Sequence, residues 1–276
     1  MAPQDVMAIT LQLKRAPTVP LEAEVITPNK FAELSNEEIR ALTVYHGKRQ
    51  LPLGEFFDVD GERSEDIVVH GALHKVRWIG RAMSKGSVTV HGNVGMHLGA
   101  YMTGGRIEVH GHATDWIGAE MRNGFIHVHG NAGGQVGAGY RGAMLGMRDG
   151  LILVDGSAGL EVGMRMKGGL IVIGGQAKDF TGLQMKGGTI VLMGGAEIRT
   201  GAWMNRGTIV SMKPLTMMPT FEFTNDRDPT FLADSAAKVK EFGIDLPCGA
   251  SDGKFRRYTG DLSVSDKGEI SVWEAV

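Results

Sequence analysis

The hydrophobic pattern of this chain is a short alternation that recurs at a fixed spacing. Stretches such as 87–91 (SVTVH) and 106–110 (RIEVH) alternate polar and apolar residues and lie close to glycines, which predicts strands rather than helices. From residue 67 to residue 212 the alternation returns every 19 residues, apart from one step of 21 and one of 26. This period indicates an internal repeat that carries one short strand per copy.

The repeat aligns apolar residues into columns. Alternation points two of these columns to the interior, and a third, of methionines, suits a core corner because methionine fills irregular gaps. The columns are Ile67, Val88, Ile107, Ile126, Ile152, Ile171, Ile190 and Ile209; Val69, Val90, Val109, Val128, Val154, Ile173, Leu192 and Ser211; and Met83, Met102, Met121, Met147, Met166, Met185 and Met204. We predict an all-β fold, a right-handed parallel β-helix of about seven 19-residue coils with non-repetitive caps.

Glycine is the one unusual component of the composition. The chain has 41 glycines among 276 residues, roughly twice the usual share of ~7%. Most follow the repeat in three columns, so they are expected at corners where φ is positive or where a close backbone excludes a Cβ. The columns are Gly71, Gly92, Gly111, Gly130, Gly156, Gly175 and Gly194; Gly80, Gly99, Gly118, Gly137, Gly163, Gly182 and Gly201; and Gly86, Gly105, Gly124, Gly150, Gly169, Gly188 and Gly207.

Charge and cysteine content exclude several classes of protein. The formal net charge of −2 gives no reason to expect nucleic acid or an anionic membrane as partner. No apolar run approaches the ~20 residues of a membrane span, and the N-terminus lacks the apolar stretch of a signal peptide. The single Cys248 excludes an internal disulfide framework. We therefore expect a cytoplasmic protein.

Non-repetitive segments flank the repeats, which suggests a capping segment at 1–66, the β-helix at 67–212 and a C-terminal segment at 213–276. Ser35 and Glu38 form a capping-box pattern for a short helix. In the C-terminal segment, residues 233–242 predict a helix, and residues 255–272 predict two strands around the turn 266–268.

The outward column between the two core columns needs a cover at one end. It changes from polar to apolar along the chain, and a continuous apolar face in water is unusual. Either the C-terminal segment or a partner protein is expected to cover it. The column is Val68, Thr89, Glu108, His127, Leu153, Val172, Val191 and Val210.

A row of cations is the first candidate site. Arg122, Arg148, Lys167 and Lys186 each follow a methionine of the core column, and Arg165 and Arg206 lie near them in the repeat register. One interpretation is a solvated face with acidic neighbours. The other is an elongated track for a polyanion or for the acidic surface of a partner.

The long insertion in the fourth repeat is the second candidate. Residues 137–142 (GAGYRG) match G-x-G-x-x-G, but a strand follows instead of the helix that dinucleotide binding requires. The insertion is expected to form a loop in which Tyr140, Arg141, Met144 and Leu145 either dock a partner or clasp the chain itself.

Histidines form the third candidate. His70, His91, His110 and His129 share one outward column, and His127 lies two residues from His129. Closely spaced imidazoles at His91, His110, His127 and His129 would suit zinc. No neighbouring column supplies regular carboxylates, so we expect a surface ladder or an interface and no metal.

The sequence shows no pattern of a nucleophilic triad or of a catalytic carboxylate pair, which favours a structural or binding subunit over an enzyme.

The repeat M-x-x-G-x-(I/V)-x-V-x-G-x-A resembles the glycine-rich C-terminal domain of glutamate synthase large subunits and, more closely, the C subunits of formylmethanofuran dehydrogenases. The segments 21–28 (LEAEVITP), 53–57 (LGEFF) and 257–262 (RYTGDL) extend the resemblance over nearly the whole chain. Residues 243–250 (GIDLPCGA) look most similar to the C (gamma) subunit of the bacterial formyltransferase/hydrolase complex.

The resemblance implies a scaffold subunit with the chemistry on its partners. In the formyltransferase/hydrolase complex a formyl group passes from a tetrahydromethanopterin carrier to a methanofuran-type carrier and is hydrolysed to formate in one-carbon metabolism of methylotrophs. The implied partners are the hydrolase (A), B and formyltransferase (D) subunits, which would hold the metals. The polyglutamate chain of the carrier would suit the cation row. The alternatives are the C subunit of an archaeal molybdenum or tungsten formylmethanofuran dehydrogenase and an independent metal-binding protein with a histidine column.

Overall fold

The computed structural model describes residues 8–249, 251–264 and 267–274, and over this range the chain is mostly β. Ala250 and Asp266, which belong to two of the stretches singled out above, lie outside the described residues. The strands are β1 (Ile9–Leu13), β2 (Leu21–Glu22), β3 (Thr43–His46), β4 (Arg49–Pro52), β5 (Phe57–Asp60), β6 (Asp66–His70), β7 (Val76–Arg77), β8 (Ser87–His91), β9 (Thr103–Val109), β10 (Asn123–Val128), β11 (Leu151–Val154), β12 (Leu170–Ile173), β13 (Lys186–Leu192), β14 (Arg206–Ser211), β15 (Glu222–Arg227), β16 (Lys254–Gly260) and β17 (Gly268–Glu274). The helices are α1 (Pro28–Phe31), α2 (Asn36–Ala41) and α3 (Ala233–Lys240), with 3₁₀ turns at Leu53–Glu55 and Pro229–Leu232.

Successive repeats pair in parallel and in register within one large sheet. Its thirteen strands run in the order β15-β16-β17-β14-β13-β12-β11-β10-β9-β8-β6-β1-β5. Ile126 lies opposite Ile107 on one side and opposite Ile152 on the other, so the pairing is retained across the 26-residue step. The two predicted core columns are buried along their length.

A second line of contacts joins the repeats away from this sheet. Isolated parallel bridges connect Leu73 to Val94, Val94 to Ala113 and Ala113 to Ala132, and a further set connects Ala158, Ala177 and Ala196. The first bridge spans 21 residues and the others 19, as in the repeat, and the Ala132 N–H donates to the Ser157 carbonyl at 2.9 Å across the 26-residue step. These repeats therefore contact one another at a second place besides the sheet.

The methionine column fills the interior as predicted. Every member from Met83 to Met204 is fully buried. The methionines also explain some of the glycines. A Cβ on Gly207, whose φ is +109°, would lie 2.7 Å from Met185 Cε. Glycine is needed there both for its backbone conformation and for the space that the methionine occupies.

The corners also contain two columns of non-glycine residues with positive φ, which the sequence pattern does not predict. They flank the second glycine column on both sides, with φ between 52° and 67°. L-residues adopt this conformation at a cost of roughly 1–2 kcal/mol, so each corner is held by its contacts with the neighbouring repeats. The columns are Trp78, His97, Trp116, Gln135, Glu161, Phe180 and Arg199, and Ala82, Tyr101, Glu120, Arg165, Gln184 and Trp203.

The N-terminal segment extends the sheet and ends it. β1 pairs in parallel with β6, and β5 pairs antiparallel with β1 at the edge. The predicted helix forms as α2 with Ser35 as its N-cap. The Ser35 side chain accepts from the Glu38 backbone N–H, and the Glu38 side chain accepts from the Ser35 N–H. This confirms the capping box.

The C-terminal segment covers the apolar end of the outward column. Val172 and Val191 of that column form a second buried cluster with Leu232, Val239 and Phe255. Leu232 immediately precedes α3, Val239 belongs to it, and Phe255 belongs to β16. The C-terminal segment thus covers the apolar end of the outward column. The division of the chain at residues 66 and 212 stays a prediction.

Candidate functional site

The cation row lies along the sheet with one residue per repeat. The backbone N–H groups of Arg122, Arg148, Lys167 and Lys186 each donate to the carbonyl of a methionine in the preceding repeat, at 2.7–2.8 Å. Neighbouring members are therefore about one strand spacing apart, ~4.8 Å at the backbone. Arg122, Arg148 and Lys167 are exposed, and no ion pair within the described part of the chain involves them. Their charges face solvent.

The last member of the row and its neighbour Arg165 instead hold the insertion loop. Lys186 Nζ donates to the Met144 carbonyl at 2.9 Å. Arg165 Nη1 donates to the Ala143 carbonyl at 2.9 Å, and its Nε donates to Gln184 Oε1 at 2.8 Å. Arg206 is exposed and lies opposite Lys186 across the β13–β14 pairing. The structure thus leaves Arg122, Arg148, Lys167 and Arg206 as the exposed cations of the predicted set.

A cavity of about 650 Å³ lies where the row meets the loop. Its volume is in the range of small-molecule sites. Met144, Arg165, Lys186 and Trp203 contribute to its walls, so a cationic side, an apolar side and the loop meet at one place.

Tyr140 points inward from the insertion loop and acts as a clasp. Its ring stacks on Trp116 with centroids 4.8 Å apart, and its hydroxyl lies 2.8 Å from His97 Nδ1. Its backbone N–H donates to Glu120 Oε1 at 3.3 Å. Burial raises the pKa of the Tyr140 hydroxyl. The clasp, one of the two roles that the sequence left open, is therefore present for this residue.

His97 is the side chain to which the Tyr140 hydroxyl forms its hydrogen bond. It stacks on Trp78 with centroids 4.1 Å apart. Burial, with the nearby positive charge of Arg77, lowers the pKa of His97 to about 4. The ring is therefore neutral at pH 7, and its Nδ1 shares one hydrogen bond with the Tyr140 hydroxyl.

The tip of the insertion loop is the part that remains available to another molecule. The Met144 residue is 74% exposed, Arg141 is exposed and Leu145 is half-buried. Partner docking by these three residues stays a prediction.

The histidine column forms a continuous ring stack. Successive rings of His70, His91, His110 and His129 lie 4.7, 4.9 and 4.8 Å apart and are within 10° of parallel. The stack is therefore a ladder, as expected from the register.

Carboxylates meet the last ring of this stack. His129 Nε2 lies 2.9 Å from Glu108 Oε1, and its Nδ1 lies 3.0 Å from Asp155 Oδ2. His127 Nε2 lies 2.8 Å from Asp155 Oδ1. Burial lowers the pKa of His129, and the hydrogen bonds to Glu108 and Asp155 more than offset this, so the pKa is raised. The hydrogen bond from His129 lowers the pKa of Glu108.

The sequence analysis expects no regular column of carboxylates beside the histidines, and it does not foresee these two single carboxylates, although the sequence holds the signal. Asp155 occupies the next repeat's position in the histidine column, and Glu108 belongs to the neighbouring outward column. The 26-residue step obscures the first relation, because Asp155 follows His129 only after the insertion.

The in-register strands, the glycine corners and the buried methionine column define a stacked glycine-repeat protein. No helix in the described part of the chain has the length and apolar character to cross a membrane. The GXGXG motif family model matches residues 71–217. The chain belongs to this family.

Part of the chain is also similar in sequence to C subunits of formylmethanofuran dehydrogenases. The C subunit of the tungsten-containing formylmethanofuran dehydrogenase 2 of Methanothermobacter thermautotrophicus is 42% identical over 97 residues, 33% of this chain and 36% of that protein. The C subunit of the molybdenum-containing formylmethanofuran dehydrogenase 1 of Methanosarcina barkeri is 40% identical over 90 residues, 31% of this chain and 30% of that protein. The match spans about a third of the length of these relatives. The resemblance to this family of C subunits is confirmed.

A solved structure aligns over almost the whole chain. A chain from the crystal structure of the formyltransferase/hydrolase complex (FhcABCD) of Methylorubrum extorquens, determined with methylofuran, superposes with a TM-score of 0.88 and 33% identity. The alignment covers 95% of this chain and 98% of that one.

We predict that the clasp makes stability depend on pH. Unfolded histidine has a pKa of ~6.5, whereas His97 in the folded chain titrates at about 4. The unfolded chain therefore takes up this proton first as the pH falls. The contribution of His97 to stability is complete above pH ~6.5 and is lost as the pH falls toward 4.

Chemical denaturation between pH 4 and 7 measures this dependence. His97→Asn, which tolerates the left-handed conformation, should flatten the slope, whereas substitution of the exposed His74 by Asn should leave it unchanged. Equal slopes in the wild-type chain and His97→Asn would contradict the assignment.

Proposed function

We propose that this chain is a non-catalytic scaffold subunit of a formyltransferase/hydrolase complex. The observation that carries the proposal is the alignment with a chain of the FhcABCD complex over 95% of this chain and 98% of the other, at 33% identity. An insertion or deletion of a functional domain would have reduced one of these shares. The corresponding partners are the hydrolase (A), B and formyltransferase (D) subunits, and the active-site metals lie on them.

The proposal includes an architecture for the scaffold. The repeats wind as a right-handed parallel β-helix, in which each 19-residue repeat is one coil. Support comes from the parallel register of β6 and of β8 to β14, from the second line of bridges, and from the buried methionines. Such a rod offers flat faces of repeated residues to its neighbours.

The cation row supplies a role beyond support. The row places positive charges at equal intervals along one direction, at Arg122, Arg148 and Lys167. No described residue forms an ion pair with them. Like charges so close repel one another, and a linear polyanion would relieve this repulsion. A methanofuran-type carrier with a polyglutamate chain has that form, and the solved complex contains methylofuran. This chain would hold the carrier at the level of the complex and bind no cofactor alone.

A second candidate is the C subunit of a molybdenum- or tungsten-containing formylmethanofuran dehydrogenase. The 40–42% identity with two such subunits favours it. That match is higher in identity but spans a third of those proteins, whereas the match to the FhcABCD chain is nearly complete.

Partner capture tests the scaffold role. The tagged full chain, purified under native conditions from its own source cells, should bring down a metallohydrolase-like subunit and a formyltransferase. The chain purified alone should show no formyl transfer or hydrolysis. Co-purification with redox subunits that carry molybdenum or tungsten would replace the first proposal by the second. Recovery of a single, partner-free and catalytically active chain would contradict both.

Charge reversal tests the cation row separately. Arg148→Glu combined with Lys167→Glu should weaken the binding of a γ-linked oligoglutamate peptide at least ~tenfold, because two attractive contacts become repulsive. Binding of the wild-type chain should also weaken steeply as salt rises.

A matched control keeps the same change in net charge. Lys48→Glu combined with Lys254→Glu reverses two exposed lysines outside the row and should leave peptide affinity within about twofold of wild type. Equal losses in both double variants would mean that net charge alone attracts the peptide, and no loss in either would contradict the track.

A further inference from the structure

We propose that His127, His129 and Asp155 bind one divalent metal ion of the zinc class, with Glu108 orienting His129. This site goes beyond the scaffold function and is independent of it. The three side chains follow or end neighbouring strands of the sheet. His127 lies on β10, and His129 and Asp155 come directly after β10 and β11.

The donor atoms are already gathered. Asp155 lies with one oxygen 2.8 Å from His127 Nε2 and the other 3.0 Å from His129 Nδ1. One donor atom from each of the three residues lies within 4.8 Å of the others. Donors in a tetrahedral zinc site with bonds of about 2.0–2.1 Å are ~3.3 Å apart. Small rotations of the side chains would therefore suffice to accommodate the ion.

The hydrogen-bonding requirements of His129 also favour a bound metal ion. Both of its ring nitrogens face carboxylate oxygens, at 2.9 and 3.0 Å, whereas a neutral imidazole carries a single N–H. A metal on Nδ1 satisfies both sides, because Nε2–H then donates to Glu108. A carboxylate that accepts from the second nitrogen of a ligating histidine is the usual support in metal sites, where it fixes the tautomer and the ring.

Packing holds the ligands in place. His127 is 6% exposed, and the ring of Phe242 from the C-terminal segment lies 5.9 Å away. His129 stacks on His110 at 4.8 Å. His129 and Asp155 are the exposed members, with 33% and 42% of their side chains accessible. A fourth ligand, either water or a group from a partner, would approach from that side.

The competing explanation is a metal-free cluster in which His129 is an imidazolium between two carboxylates. Zinc distinguishes the two. Isothermal titration of the chelator-treated full chain with zinc chloride should give one ion per chain and should raise the melting temperature. Asp155→Asn and His129→Asn should each weaken zinc binding by more than ~tenfold, and Glu108→Gln by roughly ten- to a hundredfold.

His91→Asn is the matched control. It removes an imidazole of the same stack but keeps the ligands and Glu108, so zinc affinity should stay within about twofold. Wild-type binding that is not one ion per chain, or that is unchanged in Asp155→Asn and His129→Asn, would overturn the proposal.

A measurement on the wild-type chain covers the case in which a variant fails to fold. Histidine modification by diethylpyrocarbonate, mapped by mass spectrometry, should slow at His129 when zinc is added and stay unchanged at His91. Equal modification of His129 with and without zinc would favour the metal-free cluster.

Discussion

The ladder of backbone hydrogen bonds between successive repeats is the constraint on which the rest of this structure depends. Each repeat returns its strand to a position beside the equivalent strand of the preceding repeat, with the same residues opposite one another. The spacing between strands is ~4.8 Å, so a side chain that faces one way has an equivalent neighbour at that distance on either side. The repeat turns a position in the sequence into a column in space.

The columns explain both the uniformity of the interior and the variety of the surface. Inside, a change of volume in one repeat would disturb the next, and the same isoleucines, valines and methionines recur. Outside, the column position fixes which groups interact. Exposed cations one repeat apart repel by roughly 1 kcal/mol per pair in water before screening by salt. Histidines at the same spacing stack, and His129 also forms a hydrogen bond with the carboxylate that follows it in the column.

The repeating part of the fold could be predicted from the sequence because its signals are local and recur. The core columns, the methionine corner and the need for a cover over Val172 and Val191 all follow from the 19-residue register. The left-handed corners could not be predicted in this way. Trp116, Glu161 and Arg199 carry no turn signal of their own, and their conformation is imposed by neighbouring repeats.

The position of the cation row could be predicted from the sequence, but the contacts of Tyr140 and of His129 could not. The register places Arg122, Arg148 and Lys167 correctly, since their backbone belongs to the repeat. The inward turn of Tyr140 and the meeting of Asp155 with His129 depend on the path of the insertion, for which the repeat gives no rule.

Deletion of a whole repeat tests the register most directly. Removal of residues 87–105 joins Gly86 to Arg106, which already occupies the position of Ser87 in the next repeat. This 19-residue deletion should leave a chain that unfolds cooperatively with β-type circular dichroism. Removal of the 18 residues 88–105 shifts the following strand by one position and turns its apolar residues outward, so it should be far less stable. Equal stability of the two deletion variants would contradict the account.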